Sequence, residues 1–431
     1  MSPNDSRTRR SITRINSRSM LEQAIRRSDL REIEISWPDH RGHARGRRLP
    51  ANAFSGRVLD AGVKLEDGTF TRSDAATPTE ASALAVPDSV TFRRLPWREA
   101  TGHVIADIVD RDREIVPTAP RSVLHRVVDG LRARGLSASI RVTLEGYVLD
   151  EHGRPLPGEG RRDSLVEANR LTSLLEPLTS GLTGFVPVAG AATADGPGQF
   201  AITLADASPV EAADDVFRLV YALGELGRRT GTAVTLVPPA DAETLPPATM
   251  HLQVAVWSDD QPVFGWGAHA AAGVAQRVAD SVRAHLPALT LFGAPSRASY
   301  ARDGESAHGI DPVTWEADPS SVDDVPLHEW PAAARIGLRV AADAEPHWAV
   351  AALLAAVSLG LDPDRPVPSP VTAPPASLAD AVDAASEDTA LIAILGRDAV
   401  AAYASRLQTD WFRTADAAPR VGAVDEGRPA G

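Results

Sequence analysis

The spacing of apolar positions changes several times along the chain, and each change marks an element. In EIEISWPDHRGHARGRRLPANAF, residues 32 to 54, apolar and polar positions alternate, a turn follows at Asp39 to Gly42, and the chain returns polar and basic. This predicts a hairpin in a small sheet. ALAVPDSVTFRRLPW and HVIADIVD predict further short strands to about residue 110. PRSVLHRVVDGLRARGL, 120 to 136, repeats instead at helical spacing. Pro120 opens it, Val123, Leu124, Val127, Val128 and Leu131 share one face, and Gly135 ends it. IRVTLEGYVLDEHGRP, 140 to 155, then reads as a strand that crosses a single carboxylate, Glu145.

Val210 to about Arg229 predicts a second helix, with Val216, Phe217, Val220 and Leu223 inside. TAVTLVPPA and TMHLQVAVW predict strands on either side of a proline-containing loop. A third helix is predicted at roughly 267 to 286 and a fourth near 347 to 360. The Pro-rich LDPDRPVPSPVTAPPA leads to a helical portion from Ser377 to about Thr414. The run AVAALLAAVSL is shorter than the ~18 residues a membrane span needs and reads as a buried helix. There is no internal repeat and no helix-turn-helix, zinc-knuckle, Walker or Rossmann pattern. The mixture of antiparallel-looking strands and separate helices is α+β.

Composition narrows the chemistry. The 431 residues are 43% hydrophobic and 23% charged, an ordinary globular mixture long enough for two domains. With no cysteine, disulfides, thiolate metal sites and a cysteine nucleophile are excluded. A formal charge of −13 argues against nucleic acid as a partner, and the absence of a long apolar run argues against a membrane. Five arginines among the first twenty residues have no apolar stretch behind them, which predicts a flexible basic arm over 1–27 and a cytoplasmic location. Lys64 stands alone against forty-three arginines, leaving almost nothing for lysine chemistry.

The order of segments carries a resemblance. The PDHRGHARGRRLP hairpin, VPDSVTFRRLPW, APRSVLHRVVDGLRARGL, GPGQFAI, EAADDVFRLVYALGELGRRTGTAVTLVPP, MHLQVAVW, SYARD, RIGLRV and EPHWAVAALLAAVSLGL occur in the order found in glutamine synthetases. The chain resembles that family over roughly residues 30 to 415. The resemblance implies a small β-grasp domain at 28–115 and a large domain at 116–431 with an antiparallel sheet and packed helices. It also implies a ring-type homo-oligomer. The active site would be a funnel in which magnesium or manganese ions bind ATP and glutamate, and ammonia captures a γ-glutamyl phosphate. Those ions are hard and prefer oxygen ligands, so the chemistry needs carboxylates.

Carried over position by position, the family's paired strand glutamates fall on Thr143 and Glu145. Its next two glutamates fall on Thr193 and Ala201, its metal-site histidine on His251, and the glutamate of Arg-Ile-Glu-x-Arg on Gly337. Four of six ligands are lost, and each lost charge near an ion is worth several kcal/mol, about 4 for unit charges at ~4 Å. No metal or ATP cofactor is therefore expected. The glutamate-holding loop reads Pro246, Pro247, Ala248, Thr249, and proline removes its donors. WEADPSSVDDVPL, 315 to 327, replaces the phosphate-gripping block with acids. Asp311 lies beside Ile310, which aligns with the flap glutamate, and Asn-Pro-Tyr becomes Glu345, Pro346, His347.

Arg302, Arg335 and Arg339 remain in register. The resemblance gives Arg302 and Arg339 to substrate carboxylates and Arg335 to nucleotide phosphate, roles that suit a planar guanidinium. The reading these residues favour is a non-catalytic homologue that binds a small carboxylate or amino acid, or regulates or associates with a catalytic paralogue. One alternative is a diverged ATP-dependent γ-glutamyl (carboxylate–amine) ligase with magnesium or manganese held by Asp195, Asp311 or Glu345. Another is a metal-independent enzyme using Glu145 and His251 as an acid/base pair. Structural roles stand beside each: Glu145 as a salt-bridged strand residue, His251 as a core histidine, the arginines as bridges to Glu145, Asp311 or Glu345. His40 and His43 read as surface residues.

Overall fold

The computed structural model describes residues 30–65, 83–182, 184–238, 245–263, 269–300, 335–368 and 374–413, with Ser19, 21–23, Ile25, 315–316 and 420–421. The hairpin forms as read: β1 (Glu32–Pro38) pairs antiparallel with β2 (Ala44–Pro50). β1 is buried, whereas the arginines of β2 face solvent at the sheet edge, where charge discourages further strand pairing. β3 (Val63–Lys64), β4 (Ala83–Pro87), β5 (Arg93–Arg94) and β6 (Thr101–Asp110) complete a mixed sheet ordered β2-β1-β6-β4-β3, with β1 and β6 parallel at its centre. Leu21 and Ile25, inside the stretch expected to be a free arm, are buried in the core of this sheet with Ile33, Ile35 and Phe54. Two apolar anchors four residues apart on one helical face explain why this end of the arm packs.

The larger sheet follows from α1 (Pro120–Ala133), whose predicted apolar face is fully buried, and Gly135, whose φ of +75° ends it. β7 (Leu136–Leu149) starts four residues earlier than its β-branched run suggests. It is the hub of the sheet, antiparallel to β9 (Gln199–Leu204), β10 (Ala233–Thr235) and β11 (Thr249–Ser258). β8 (Val188–Thr193) extends one side; β12 (Gln261–Pro262), β13 (Trp315–Glu316), β14 (Arg335–Ala341) and β15 (Arg420–Val421) complete the sheet.

Helices α2 (Pro209–Thr230), α3 (His269–Gly293) and α4 (Pro346–Gly360) pack with α1 around one core, joined by α5 (Leu378–Glu387), α6 (Thr389–Leu395) and α7 (Arg397–Arg413). α4 is apolar all round and buried all round, and its alanines let neighbours approach on every side. It ends at Gly360, where an added Cβ would lie 2.7 Å from the Val278 Cα of α3. α3 runs past Pro287, where the proline signal predicts its end, because Ala288, Leu289, Leu291 and Phe292 are buried in the core and hold the last turns. Among the described residues no helix is long and apolar enough to cross a membrane.

The two cores meet through buried charge. Arg121 of α1 donates to Asp214 of α2 at 3.0 Å, to Asp88 at 2.9 Å and to Asp107 of β6, and Arg218 of α2 donates to the Thr91 carbonyl at 2.6 Å. His40, read as a surface residue, instead lies at the hairpin tip 2.6 Å from Asp410 of α7.

Candidate functional site

Strand register brings together most positions singled out in the sequence. On β11, His251 lies between Thr143 of β7 and Arg339 of β14; two residues on, Gln253 lies between Arg141 and Gly337. On the other side of β7, Glu145 pairs with Ala201 of β9 and Phe200 pairs with Thr193 of β8. Arg302 and Asp311 lie outside the described residues.

Glu145 is buried, and both its oxygens are committed. Oε1 accepts from Arg162 Nη2 at 3.1 Å; Oε2 accepts from Thr249 N at 3.2 Å and Thr249 Oγ1 at 2.9 Å. The same guanidinium reaches Asp195 Oδ2 at 2.7 Å, and the hydrogen bonds to Asp195 and then to Glu145 raise its pKa above the usual arginine range against the cost of burial. Thr143 Oγ1 is 3.0 Å from Thr203 Oγ1. Thr193 is buried; its Oγ1 donates to the Arg161 carbonyl at 2.8 Å and accepts from Ser164 N at 2.9 Å, while its carbonyl accepts from Asp163 N at 3.1 Å. A side chain at a lost ligand position thus clips the loop that carries Arg162.

Burial, reinforced by Arg339, lowers the pKa of His251 to about 4, so its imidazole is neutral at physiological pH. Arg335 forms an ion pair with Asp206 at 2.7 Å, and Arg141 donates to the other oxygen of Asp206 at 3.0 Å. Among the described residues Asp206 is therefore a partner of Arg335 that the sequence reading did not name. Glu345 is fully buried at the start of α4, where it accepts from Trp348 N and contacts His347, so it is not exposed to a ligand. Gln199 closes the turn at Gly196 with its Oε1 and donates to the Pro247 carbonyl at 3.1 Å, and Tyr147 donates to the Pro246 carbonyl at 2.7 Å. These two side chains hold the proline loop beside Glu145. Arg162, Asp206, Arg141 and Thr249 were not singled out as partners, because each pairing spans many residues and leaves no local periodicity.

Comparison with known proteins decides the family. Residues 117–421 match the model of the glutamine synthetase catalytic domain. The chain belongs to the glutamine synthetase family. Glutamate–isopropylamine ligase of Pseudomonas sp is 23% identical over 377 residues, covering 78% of this chain and 79% of that protein. Gamma-glutamylethanolamide synthetase GlnA4 of Streptomyces coelicolor is 27% identical over 139 residues, which is 30% of each chain. The ligand-free structure of GmaS superimposes with a TM-score of 0.77 at 21% identity over 91% of this chain and 96% of that one, which establishes the shared fold.

Glutamine synthetases imply divalent ions, and the described residues do not fit them. Magnesium demands nearly octahedral oxygen ligands and sheds water reluctantly. Here both oxygens of Glu145 already accept hydrogen bonds and its charge is paired with Arg162, Thr143 and Thr193 are hydrogen-bonded within the protein, and Ala201 and Gly337 offer no side-chain ligand atom. Among the described residues, no three His, Asp or Glu side chains are grouped to hold a metal ion.

Proposed function

We propose that this protein is a glutamine synthetase homologue without metal-dependent ligation, which serves as a binding, regulatory or structural subunit. The observation that carries this reading is the double commitment of Glu145, the carboxylate retained from the metal strand, to Arg162 and Thr249. A ligand of small carboxylate or amino-acid type fits the arginines that the resemblance gives to substrate carboxylate, Arg302 and Arg339. The N-terminal sheet, with a hairpin and a parallel central pair, supports a β-grasp reading. Assembly into a homo-oligomer, or with a catalytic paralogue, belongs to the same proposal.

A second reading is ligation of a γ-carboxylate to an amine, favoured by the named activities of the Pseudomonas and Streptomyces relatives. One assay separates the two. Purified protein is given ATP, magnesium or manganese, glutamate and a panel of amines, and phosphate release is followed. The first reading expects no amine-dependent release and no change in melting temperature on chelation. Sustained amine-dependent release overturns it in favour of the second.

A further inference from the structure

We propose that Arg162 is a built-in counter-ion: its guanidinium takes the place beside Glu145 that a divalent cation would need, and the loop at 158–164 is constructed to keep it there. The inference rests on the non-catalytic reading above and gives it a physical cause.

Three sets of contacts fix the loop. From inside, the buried carboxylate of Glu167 accepts from the backbone N–H of Glu159 and from that of Arg161 at 3.3 Å. From β8, Thr193 holds Arg161, Asp163 and Ser164. Across the Asp195 turn, Gly160 has φ +63°, and a Cβ there would lie 2.6 Å from the Asp195 carbonyl oxygen, so only glycine permits the approach. Asp163 also adopts a left-handed φ of 58°, which turns the chain directly after Arg162. Arg162 therefore projects from a backbone held on both sides, with Glu145 and Asp195 as its two anchors.

The chemistry of guanidinium suits this role. It stays protonated at any physiological pH, and its planar fork reaches two carboxylates at once. A buried carboxylate needs a positive partner, and a covalently attached one is present at all metal concentrations. Retaining Glu145 while losing its neighbouring ligands is then consistent, because the glutamate is neutralised from within the chain.

The test uses the full chain and the melting temperature with and without manganese. In wild-type protein, millimolar manganese is expected to leave the melting temperature unmoved. In Arg162→Ala, with Glu145 and Asp195 released, manganese at about ten times its dissociation constant is expected to raise it by about 1–2 °C. The double variant Arg162→Ala with Glu145→Gln should lose that response. If Arg162→Ala fails to fold, Arg162→Gln keeps length without charge and serves for the same comparison. A manganese shift in the wild type as large as in the variant, or no larger shift in the variant than in the wild type, overturns the proposal. Phosphate release by the wild type would overturn the proposed function while leaving this comparison readable.

Discussion

His347 Nε2 lies 3.0 Å from Asp214 Oδ1 while its Nδ1 lies 2.7 Å from Glu345 Oε1, so one fully buried imidazole bridges two carboxylates. Burial pushes its pKa down, but Glu345 and Asp214 outweigh that and raise it to about 9. At neutral pH the ring is an imidazolium that donates from both nitrogens.

This pair predicts an alkaline weakness. Because the folded pKa lies above the ordinary value of 6.5, the bridge's contribution is complete below pH 6.5, shrinks from there towards 9, and is lost above 9. The contribution is on the order of 3 kcal/mol. Urea midpoints measured from pH 6 to 9.5 should fall for the wild type and run flatter for His347→Gln. Parallel curves would show that the histidine does not titrate between these states.

Thr193 predicts a hydroxyl-specific effect. Thr193→Val keeps shape but leaves the Ser164 N–H and the Arg161 carbonyl without their buried partner, at a cost of about 2 kcal/mol. Thr193→Ser retains the hydroxyl and should cost under about 1 kcal/mol. Equal losses in chemical denaturation for the two variants would refute the assignment to the hydroxyl.

Asp206 is shared between Arg141 and Arg335, one on each carboxylate oxygen. Asp206→Ala removes the carboxylate shared by these two partly buried cations and should destabilise by about 2 kcal/mol, with the loss reduced at high salt. The same variant carrying Arg335→Leu should recover part of the loss. Failure to recover any would mean that the two charges are not coupled.

Gly360 allows α3 and α4 to cross closely. Gly360→Ala forces a methyl group against the Val278 backbone and should cost about 1–3 kcal/mol, despite alanine's better helix propensity. A melting temperature at or above that of the wild type would show that the crossing relaxes freely.

Much of the fold is legible in the sequence, because α1, α2 and the β1–β2 hairpin carry their own periodicity and punctuation. The run of α3 beyond Pro287 is not, since tertiary burial of Leu289 and Phe292 outweighs the local proline signal. In the site, the resemblance singles out Glu145, His251 and Arg339, but that His251 lies opposite Arg339 on one side and Thr143 on the other emerges only from the folded register. Their partners are hidden for a different reason. Arg162 is one of forty-three arginines, and nothing in GEGRRDS distinguishes it from a solvated turn residue until the loop is folded over Glu145. Asp206 likewise follows β9 with no pattern that links it to a strand more than a hundred residues away.

The buried path from Asp107 through Arg121, Asp214 and His347 to Glu345 has a consequence for how the chain can be divided. A cut at residue 115 falls between two topologically distinct sheets, yet it strips Arg121 of two of its three acids, Asp88 and Asp107, and leaves those two carboxylates without their guanidinium in the other fragment. The shared ion pairs therefore predict that the two sheets melt as one cooperative unit, and that a fragment beginning after residue 115 is less stable than the whole chain.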